Sequence, residues 1–148
     1  MERMPYSGAT EERIIIAEQA LGVRFPDTLR SMWLTYNRVE LPRGHWRVFP
    51  VFDPVNARKT SNDIVYENTK GQELVPGDVL SIAESMSGSG NRLVLRRLGE
   101  ATDSLVLLFA RRTGKLTKWK GTLDDFLVEA IRCAQLIRRL ASKYRNEA

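Results

Sequence analysis

The side chains that most often carry acid–base or metal chemistry are scarce in this sequence. Its 148 residues include one histidine, His45, and one cysteine, Cys133. A nucleophile needs a base and an orienting group beside it, and zinc needs a set of spaced Cys or His ligands, so these two residues complete neither arrangement. The sequence therefore predicts no catalytic residue, no metal ligand and no cofactor, and leaves only carboxylate chemistry open.

Three features that resemble chemical motifs have structural interpretations. Cys133 lies seven residues after Phe126, two helical turns along one face, which is typical of a small buried apolar residue. Gly88-Ser89-Gly90 lacks the third glycine of a phosphate-binding loop and precedes a strand pattern, which favours a hairpin turn. Asp124 and Asp125 fall in the first turn of a predicted helix, where negative charge suits the helix dipole.

The cations are concentrated in the C-terminal part of the chain. The net charge is +5, but residues 1–91 hold 10 Lys/Arg against 12 Asp/Glu, whereas residues 92–148 hold 13 against 6. This asymmetry is typical of a protein with an anionic partner, namely nucleic acid, a membrane surface or an acidic protein, and it also fits solvated strand and helix faces. The candidate partner-binding cations are Arg96, Arg97, Arg111, Arg112, Lys115 and Lys118.

Two tryptophans complete this candidate set. Trp119 lies between Lys118 and Lys120, and Trp46 follows His45. An exposed Trp46 or Trp119 ringed by arginines is a hypothesis for a protein-binding hot spot, because Trp and Arg dominate interface energetics. Cations mixed with an aromatic residue also occur on nucleic-acid surfaces, and lysines equally protect an edge strand from unwanted pairing. The alternative is that all three tryptophans are core residues.

Several features predict a cytoplasmic protein without a membrane span. A single cysteine cannot form an intramolecular disulfide, and residues 1–9 lack the basic-then-apolar layout of a secretory signal. The longest unbroken apolar run is Leu105 to Ala110, whereas a membrane helix needs about 20 apolar residues. A chain of this length buries a sizeable core, so we expect one domain over residues 1–148.

Two helices are predicted at the N-terminus. Thr10 is a side-chain N-cap followed by two glutamates, and Gly22 supplies the C-terminal stop. Pro26 presets the first turn of the second helix, whose apolar residues recur at helical spacing until Asn37 ends it in a left-handed conformation. Residues 38–44 contain Pro and Gly breakers and are predicted to form a loop.

The next segment contains a strand and a second, more ambiguous element. Trp46 to Phe52 is rich in strand-forming residues, but Pro50 cannot donate a ladder hydrogen bond, which places this strand at an edge or beside a bulge. Ser61 to Thr69 fits a short helix with Ser61 or Asn62 as its N-cap, and it also fits a strand. We favour the helix.

The remaining chain predicts strands and a closing helix. After a type II turn at residues 75–78, the predicted strands are Val79 to Ala83, Arg92 to Leu98, Ser104 to Ala110 and Lys115 to Trp119. The apolar run in the third strand predicts burial of both its faces. Thr122 and Asp125 resemble a capping box, and the apolar stripe that follows continues to Ile137. We therefore predict an α+β domain, with N-terminal helices and a long C-terminal helix packed on a mainly antiparallel sheet.

Three stretches of the chain together carry a family signature. Residues 20–37, ALGVRFPDTLRSMWLTYN, contain a helix, a hydrophobic-Pro link, a second helix with aromatic anchors and an Asn. Residues 79–95, VLSIAESMSGSGNRLVL, and residues 116–131, LTKWKGTLDDFLVEAI, supply a glycine-rich turn between strands and a tryptophan-bearing strand before a capped helix. In this order they resemble the SUKH superfamily, the Smi/Knr-like cell-wall-regulator domain. The positions that carry the resemblance are Leu21, Phe25, Pro26, Leu29, Trp33, Asn37, Gly88, Gly90, Asn91, Trp119, Phe126 and Leu127.

The resemblance implies a non-enzymatic bacterial immunity protein that binds a cognate toxin domain and blocks its active site or substrate access. A regulatory or scaffold module of the same fold, and a nucleic-acid-binding protein that uses the basic C-terminal part, are the alternatives. The sequence departs from the family pattern at Arg38, where glycine usually follows the Asn, and in its basic net charge. Because charge complementarity sets specificity, a basic immunity protein is expected to prefer an acidic or neutral toxin surface.

Overall fold

The computed structural model describes residues 8–41, 46–70 and 75–147, which form an α+β fold. The helices are α1 Glu11–Leu21, α2 Asp27–Thr35, α3 Ile64–Thr69 and α4 Leu123–Glu147, and Pro54–Asn56 forms a short 3₁₀ helix. The strands are β1 Val39–Leu41, β2 Trp46–Val48, β3 Val79–Ser85, β4 Arg92–Leu98, β5 Ala101–Thr102, β6 Leu105–Ala110 and β7 Lys115–Thr122. The predicted fold class is confirmed.

One antiparallel sheet organises these elements. Its strand order is β1-β2-β3-β4-β6-β7, and β5 pairs with the end of β4. The helix α4 contacts β1, β7 and α2, while α3 contacts α1 and β3. The main core lies between the sheet and the helices and includes Phe25, Trp33, Phe49 and Phe126. Within the described chain, β1 and β7 are therefore the two edges of the sheet.

The caps of α1 are those that the sequence predicts. The Thr10 side chain accepts a hydrogen bond from the Arg13 N–H at 3.3 Å, and the glutamates follow in the first turn. Gly22 ends the helix at φ 67°, a left-handed conformation that glycine adopts without the steric cost of a Cβ.

The end of α2 differs from the prediction. Pro26 is its N-cap rather than a first-turn residue, and Tyr36 ends the helix in an extended conformation, so Asn37 is not the cap. Asn37 is instead buried, where its side-chain amide donates to the Val51 carbonyl and accepts from the Val51 N–H, each at 2.8 Å. Backbone groups buried away from water need partners, and Asn37 supplies both for Val51.

The loop predicted over residues 38–44 is wrong in its first half. Val39–Leu41 forms β1, which pairs with β2 in the register Val39↔Val48 to Leu41↔Trp46. Positions 42–45, with Pro42, Gly44 and His45, lie outside the described residues. A strand of three residues has little local signal, because its stability comes from the partner strand beside it.

The strand predicted over residues 46–52 is shorter and lies inside the sheet. β2 ends at Val48, before Pro50, and pairs with both β1 and β3, so the predicted edge position is wrong. β2 ends at Val48, opposite Ala83, where the pairing of β3 with β4 shifts register. A position beside such an irregularity is the other alternative that Pro50 predicted. Pro50 needs no ladder hydrogen bond there, and its carbonyl accepts from the Ile64 N–H at 2.9 Å.

The helix predicted over residues 61–69 is confirmed over a shorter range, with a different cap. The Asp63 carboxylate accepts from the N–H of Val65 at 2.9 Å and of Tyr66 at 3.0 Å, so neither Ser61 nor Asn62 is the cap. Asp63 is buried, while Ser61 and Asn62 are exposed. The N-cap is therefore Asp63, the residue whose side chain is shielded from water that would compete for these hydrogen bonds.

The strands after residue 75 agree with the predictions and extend them. Gly88 and Gly90 lie in the turn between β3 and β4 at φ 82° and 78°, which confirms the predicted hairpin turn. The short strand β5 was not predicted. Both faces of β6 are covered, because Val106 belongs to the main core while Leu107 and Phe109 belong to a second buried cluster with Val79 and Val94.

The capping box of α4 is confirmed. The Thr122 hydroxyl accepts from the Asp125 N–H at 3.3 Å, and the Asp125 carboxylate accepts from the Thr122 N–H at 3.2 Å. Leu123, Phe126, Leu127, Ala130 and Ala134 form the buried stripe. Cys133 is half-buried rather than buried, and the side chain of Ile137 lies outside the described part of the chain.

Candidate interaction surface

The structure divides the predicted contact residues into several environments. Arg96 is half exposed at the end of β4, with its guanidinium 3.8 Å from the Asp78 carboxylate. Arg97 is partly buried, and its Nη1 donates to the Leu21 carbonyl at 3.0 Å, at the C-terminus of α1. A cation there satisfies an end carbonyl and complements the helix dipole. Arg97 therefore has a structural role that accounts for its charge.

The other four predicted cations lie on the hairpin formed by β6 and β7. Arg111 and Arg112 occupy its turn, Lys115 and Lys118 lie on β7, and Lys120 follows on the same strand; all five side chains are exposed. In residues 8–41, 46–70 and 75–147, none of these five makes an ion pair. We call this set, Arg111, Arg112, Lys115, Lys118 and Lys120, the basic hairpin.

The lysines flank a free strand edge on both faces of the sheet. Lys115 lies opposite Ala110, and Lys118 lies opposite Leu107, three positions further along β7. Successive side chains point to opposite faces of a strand, so these two lysines project from opposite faces. β7 pairs with β6 alone among the described strands. A partner that approaches this edge therefore meets positive charge on either side of it.

The predicted tryptophans contribute little exposed aromatic surface. Trp46 is buried, with 9% of its surface exposed, and it lies between Leu41 and Ser85 in the sheet. Trp119 is half-buried and packs edge-on against Phe126, with ring centroids 5.2 Å apart. Trp33 and Trp46 are therefore core residues. The hot-spot hypothesis requires an exposed Trp46, and Trp46 is buried.

A second group of charges, which sequence reasoning missed, crosses the other half of the sheet. Glu40, Arg47, Glu84 and Arg92 lie directly opposite one another on β1, β2, β3 and β4. Their signs alternate, and Arg47 Nη2 pairs with Glu84 Oε1. We call these four residues the charged row. The charged row depends on which residues of distant strands lie opposite one another, and the sequence alone does not give that register.

The charged row is anchored in the interior by Glu67 on α3. Arg92 Nη2 lies 2.6 Å from Glu67 Oε2, and Arg92 Nη1 donates to the Glu67 carbonyl at 3.0 Å. The side chains of Glu67 and Arg92 are 9% and 12% exposed. Burial raises the pKa of Glu67 above its ordinary value, and the positive charge of Arg92 offsets part of that rise.

An apolar groove between α1 and α3 was also missed. Ile16, Phe52 and Tyr66 line it and are among the exposed large apolar residues, and its volume is 340 Å³. Arg13 and Lys70 are also in its lining. The sequence did carry a signal for this groove. Of the run Ile14-Ile15-Ile16, one residue is enough for the buried stripe of α1, so the other isoleucines leave apolar surface exposed. Exposed apolar patches of this kind often contact partners.

The described residues hold no cluster suited to metal binding, since no group of three His, Cys, Asp or Glu side chains comes together in them. Asp125 is engaged in the α4 capping box, and Gly88-Ser89-Gly90 is a hairpin turn. His45 falls in the undescribed positions 42–45. Across the described helices, none combines the length and low polarity required to traverse a bilayer.

The positions of the predicted family signature build the fold. Most of them are buried, and Phe25 packs edge-on against Trp33 with ring centroids 4.8 Å apart. The Trp33 indole donates to the Phe49 carbonyl at 3.0 Å, and Asn91 accepts from the Arg111 N–H at 3.2 Å. The buried signature residues are Leu21, Phe25, Leu29, Trp33, Asn37, Phe126 and Leu127.

Comparison with known families agrees with this arrangement. The model of the SMI1 / KNR4 family (SUKH-1) matches residues 8–129, from the start of the described chain into α4. A search of curated proteins gives no match to this chain. The resemblance seen in the three sequence stretches is confirmed, and because the match covers most of its length, the chain belongs to the SMI1 / KNR4 family (SUKH-1).

Proposed function

We propose that this chain is a non-enzymatic immunity protein that binds and neutralises a cognate bacterial toxin domain, and that the basic hairpin is its main contact surface. Membership of the SUKH-1 family supports a role in protein–protein interaction. The family resemblance implies that the partner is a toxin domain, and we apply that implication to this chain as part of the proposal.

The observation that carries the proposal is a concentration of like charge that the fold itself does not use. The five side chains of the basic hairpin are exposed, and among the described residues no carboxylate pairs with any of them. Their mutual repulsion is relieved when an acidic surface covers the edge of β7. Such complementarity raises the association rate and selects the partner.

The proposed partner is therefore a toxin domain with an acidic surface beside its active site. Trp119 is half-buried at this edge, so it adds only part of its ring to the contact. The recognition is dominated by charge, and its affinity should fall as salt increases. A regulatory partner without toxicity would use the same surface and differ only in what the complex does.

Nucleic-acid binding is the second candidate, because the same five cations suit a phosphate backbone. If all five contacted phosphates, the logarithm of the affinity would fall with the logarithm of salt with a slope of about −4 to −5. The packing of Trp119 against Phe126 speaks against a stacking platform for single-stranded bases. The protein partner is thus the better match to the geometry.

Growth rescue tests the neutralising function. Toxin domains from the genome that encodes this chain are expressed one at a time in a host that lacks it, with and without co-expression of the chain. We expect one domain to arrest growth and the chain to restore it. The variant Arg112→Glu, Lys115→Glu, Lys118→Glu should fail to restore growth, because it reverses charge on the basic hairpin.

A matched variant controls for the loss of net charge. Arg24, Lys70 and Arg132 are exposed cations outside the hairpin, so Arg24→Glu, Lys70→Glu, Arg132→Glu changes the net charge equally. This control should still rescue growth. Failure of the unmodified chain to relieve any arrest would remove the immunity function, and equal rescue by both variants would remove the hairpin as its contact surface.

A further inference from the structure

A small pocket on the opposite half of the molecule from the basic hairpin is lined almost entirely by hydrogen-bond donors. It has a volume of 60 Å³ and lies where β1, β2 and the segment before α3 meet. Its polar lining consists of Arg38, Arg47, Arg58, Lys59, Ser61 and Asn62. Four of these six side chains are cationic, and no carboxylate lines the pocket.

Two of the cations are held in place by carboxylates that lie outside the pocket. Arg38 Nη2 is 3.4 Å from Glu40 Oε1, and Arg47 Nη2 pairs with Glu84. Both glutamates line the neighbouring groove, and Arg38 and Arg47 border the groove as well as the pocket. A guanidinium has five N–H donors and each of these pairs uses one of its terminal nitrogens, so both arginines keep donors for the pocket.

The other two cations have no such partner. Among the described residues, neither Arg58 nor Lys59 makes an ion pair, and both are exposed. Two adjacent cations facing two arginines across so small a space repel one another unless an anion separates them. A negatively charged group in the pocket would relieve this repulsion.

The segment that carries Arg58 and Lys59 is fixed by local hydrogen bonds. Asp53 accepts from the Val55 N–H at 3.0 Å, and the Lys59 N–H donates to the Asn56 carbonyl at 3.1 Å. The buried Thr60 hydroxyl lies 2.9 Å from the same Asn56 carbonyl. This segment presents its cations from an ordered turn, which lowers the entropic cost of binding an anion.

The size of the pocket suits a small anion such as a phosphate group. Since about 10–15 Å³ of such space holds one water-sized atom, a 60 Å³ pocket takes about four, the number of oxygens in a phosphate group. Arginine forks match phosphate geometry with paired N–H bonds, and lysine adds a point charge. Asn62 supplies a neutral amide donor for a remaining oxygen atom, whereas the Ser61 hydroxyl already donates to the Arg58 carbonyl at 3.3 Å.

We propose that this pocket is a binding site for a single phosphate group, held by Arg38, Arg47, Arg58 and Lys59. The site is separate from the basic hairpin and does not depend on the toxin partner. Inorganic phosphate and a phosphate monoester on a small molecule share this chemistry. A monoester additionally places its organic part outside the pocket, where the groove lined by Glu84 and Met86 begins.

Calorimetric titration of the full chain with inorganic phosphate, in a buffer of low ionic strength without other polyanions, tests the proposal. We expect saturable binding of one phosphate per chain. The variant Arg58→Ala, Lys59→Ala should weaken it by at least about tenfold, because it removes two charge-assisted contacts. The matched control is Arg24→Ala, Arg132→Ala, which removes two exposed cations that lie outside both the pocket and the basic hairpin.

The control should bind phosphate within about twofold of the unmodified chain, since its cations lie outside the pocket. O-phosphoserine distinguishes the source: tighter binding than inorganic phosphate supports a monoester ligand, and equal binding supports free phosphate. The thermal unfolding midpoint gives a second readout, because a ligand raises it only in variants that bind. Equal weakening in both variants, or no saturable binding, would overturn the proposal.

Discussion

The two halves of the sheet use charge in opposite ways. Across β1 to β4, the charged row alternates in sign and each member faces an opposite charge on the next strand. At β7, the basic hairpin carries one sign only, and the described residues supply it with no carboxylate. Charge that is neutralised in register serves the fold, whereas charge left exposed on a free edge is available to a partner.

The largest expected effect comes from breaking the buried end of the charged row. Replacing Glu67 with Ala takes its carboxylate away from Arg92 at a position where both side chains are almost fully buried. We expect a loss of about 2–4 kcal/mol in the free energy of unfolding, because one charge of a buried pair loses its counter-charge. Urea denaturation monitored by tryptophan fluorescence measures this change.

The exposed end of the same row supplies the control. Glu40 pairs with Arg38 at 3.4 Å, with about a third of each side chain exposed. Glu40→Ala should therefore cost only about 0.5 kcal/mol. If Glu67→Ala costs no more than Glu40→Ala, the buried pair does not anchor the row.

A smaller effect is expected from pH. The pKa of Glu67 in the folded chain lies above its ordinary value of 4.5, because burial outweighs the attraction of Arg92. Between these two values the folded chain holds more protons than the unfolded chain, so this group's contribution to stability falls as pH rises through that window. Unfolding midpoints in urea, measured at steps from pH 4 upwards, follow this loss.

The variant Glu67→Gln isolates that group. Asp63, whose pKa burial also raises, contributes with the same sign in both proteins and cancels from the comparison. We expect the stability of the unmodified chain to fall relative to Glu67→Gln as pH rises. Parallel stability curves for the two proteins would contradict the assignment.

The smallest effect on stability is expected at the basic hairpin. Replacing Lys115, Lys118 and Lys120 with Ala should change the free energy of unfolding by less than about 0.5 kcal/mol, since none of the three is paired within the described chain. Denaturation of the triple variant measures it. A loss above about 1 kcal/mol would show that the fold depends on these lysines.

The same variant separates partner binding from edge protection. Exposed lysines can keep an edge strand such as β7 from pairing with another copy of the chain. If that were their main role, the triple variant would self-associate in size-exclusion chromatography. We expect it to elute as the unmodified chain does.

The sequence predicted the elements whose signals are local. Thr10 and Gly22 at the ends of α1, and Thr122 with Asp125 at the start of α4, are caps that act within a few residues. The glycine-rich turn between β3 and β4 likewise depends on residues that are adjacent in the chain. Such features are readable because the residues that make the contact lie side by side in the sequence.

Features that depend on distant partners could not be predicted in this way. β1 exists because β2 lies beside it, and Asn37 serves Val51 rather than its own helix. Arg97 was grouped with the hairpin cations, but it reaches the end of α1, far away in sequence. The charged row and the phosphate pocket likewise require strand register, which composition and periodicity do not encode.

The central claim is that a protein partner binds the basic hairpin, and affinity capture from the native host tests it most directly. The tagged chain, the hairpin variant Arg112→Glu, Lys115→Glu, Lys118→Glu and the control Arg24→Glu, Lys70→Glu, Arg132→Glu are purified at moderate salt after nuclease treatment, and bound proteins are identified by mass spectrometry. We predict a toxin-domain polypeptide in stoichiometric amount with the unmodified chain and the control, and none with the hairpin variant. Equal capture by both variants would contradict the claim, as would nucleic acid that is bound before nuclease treatment with no protein left after it.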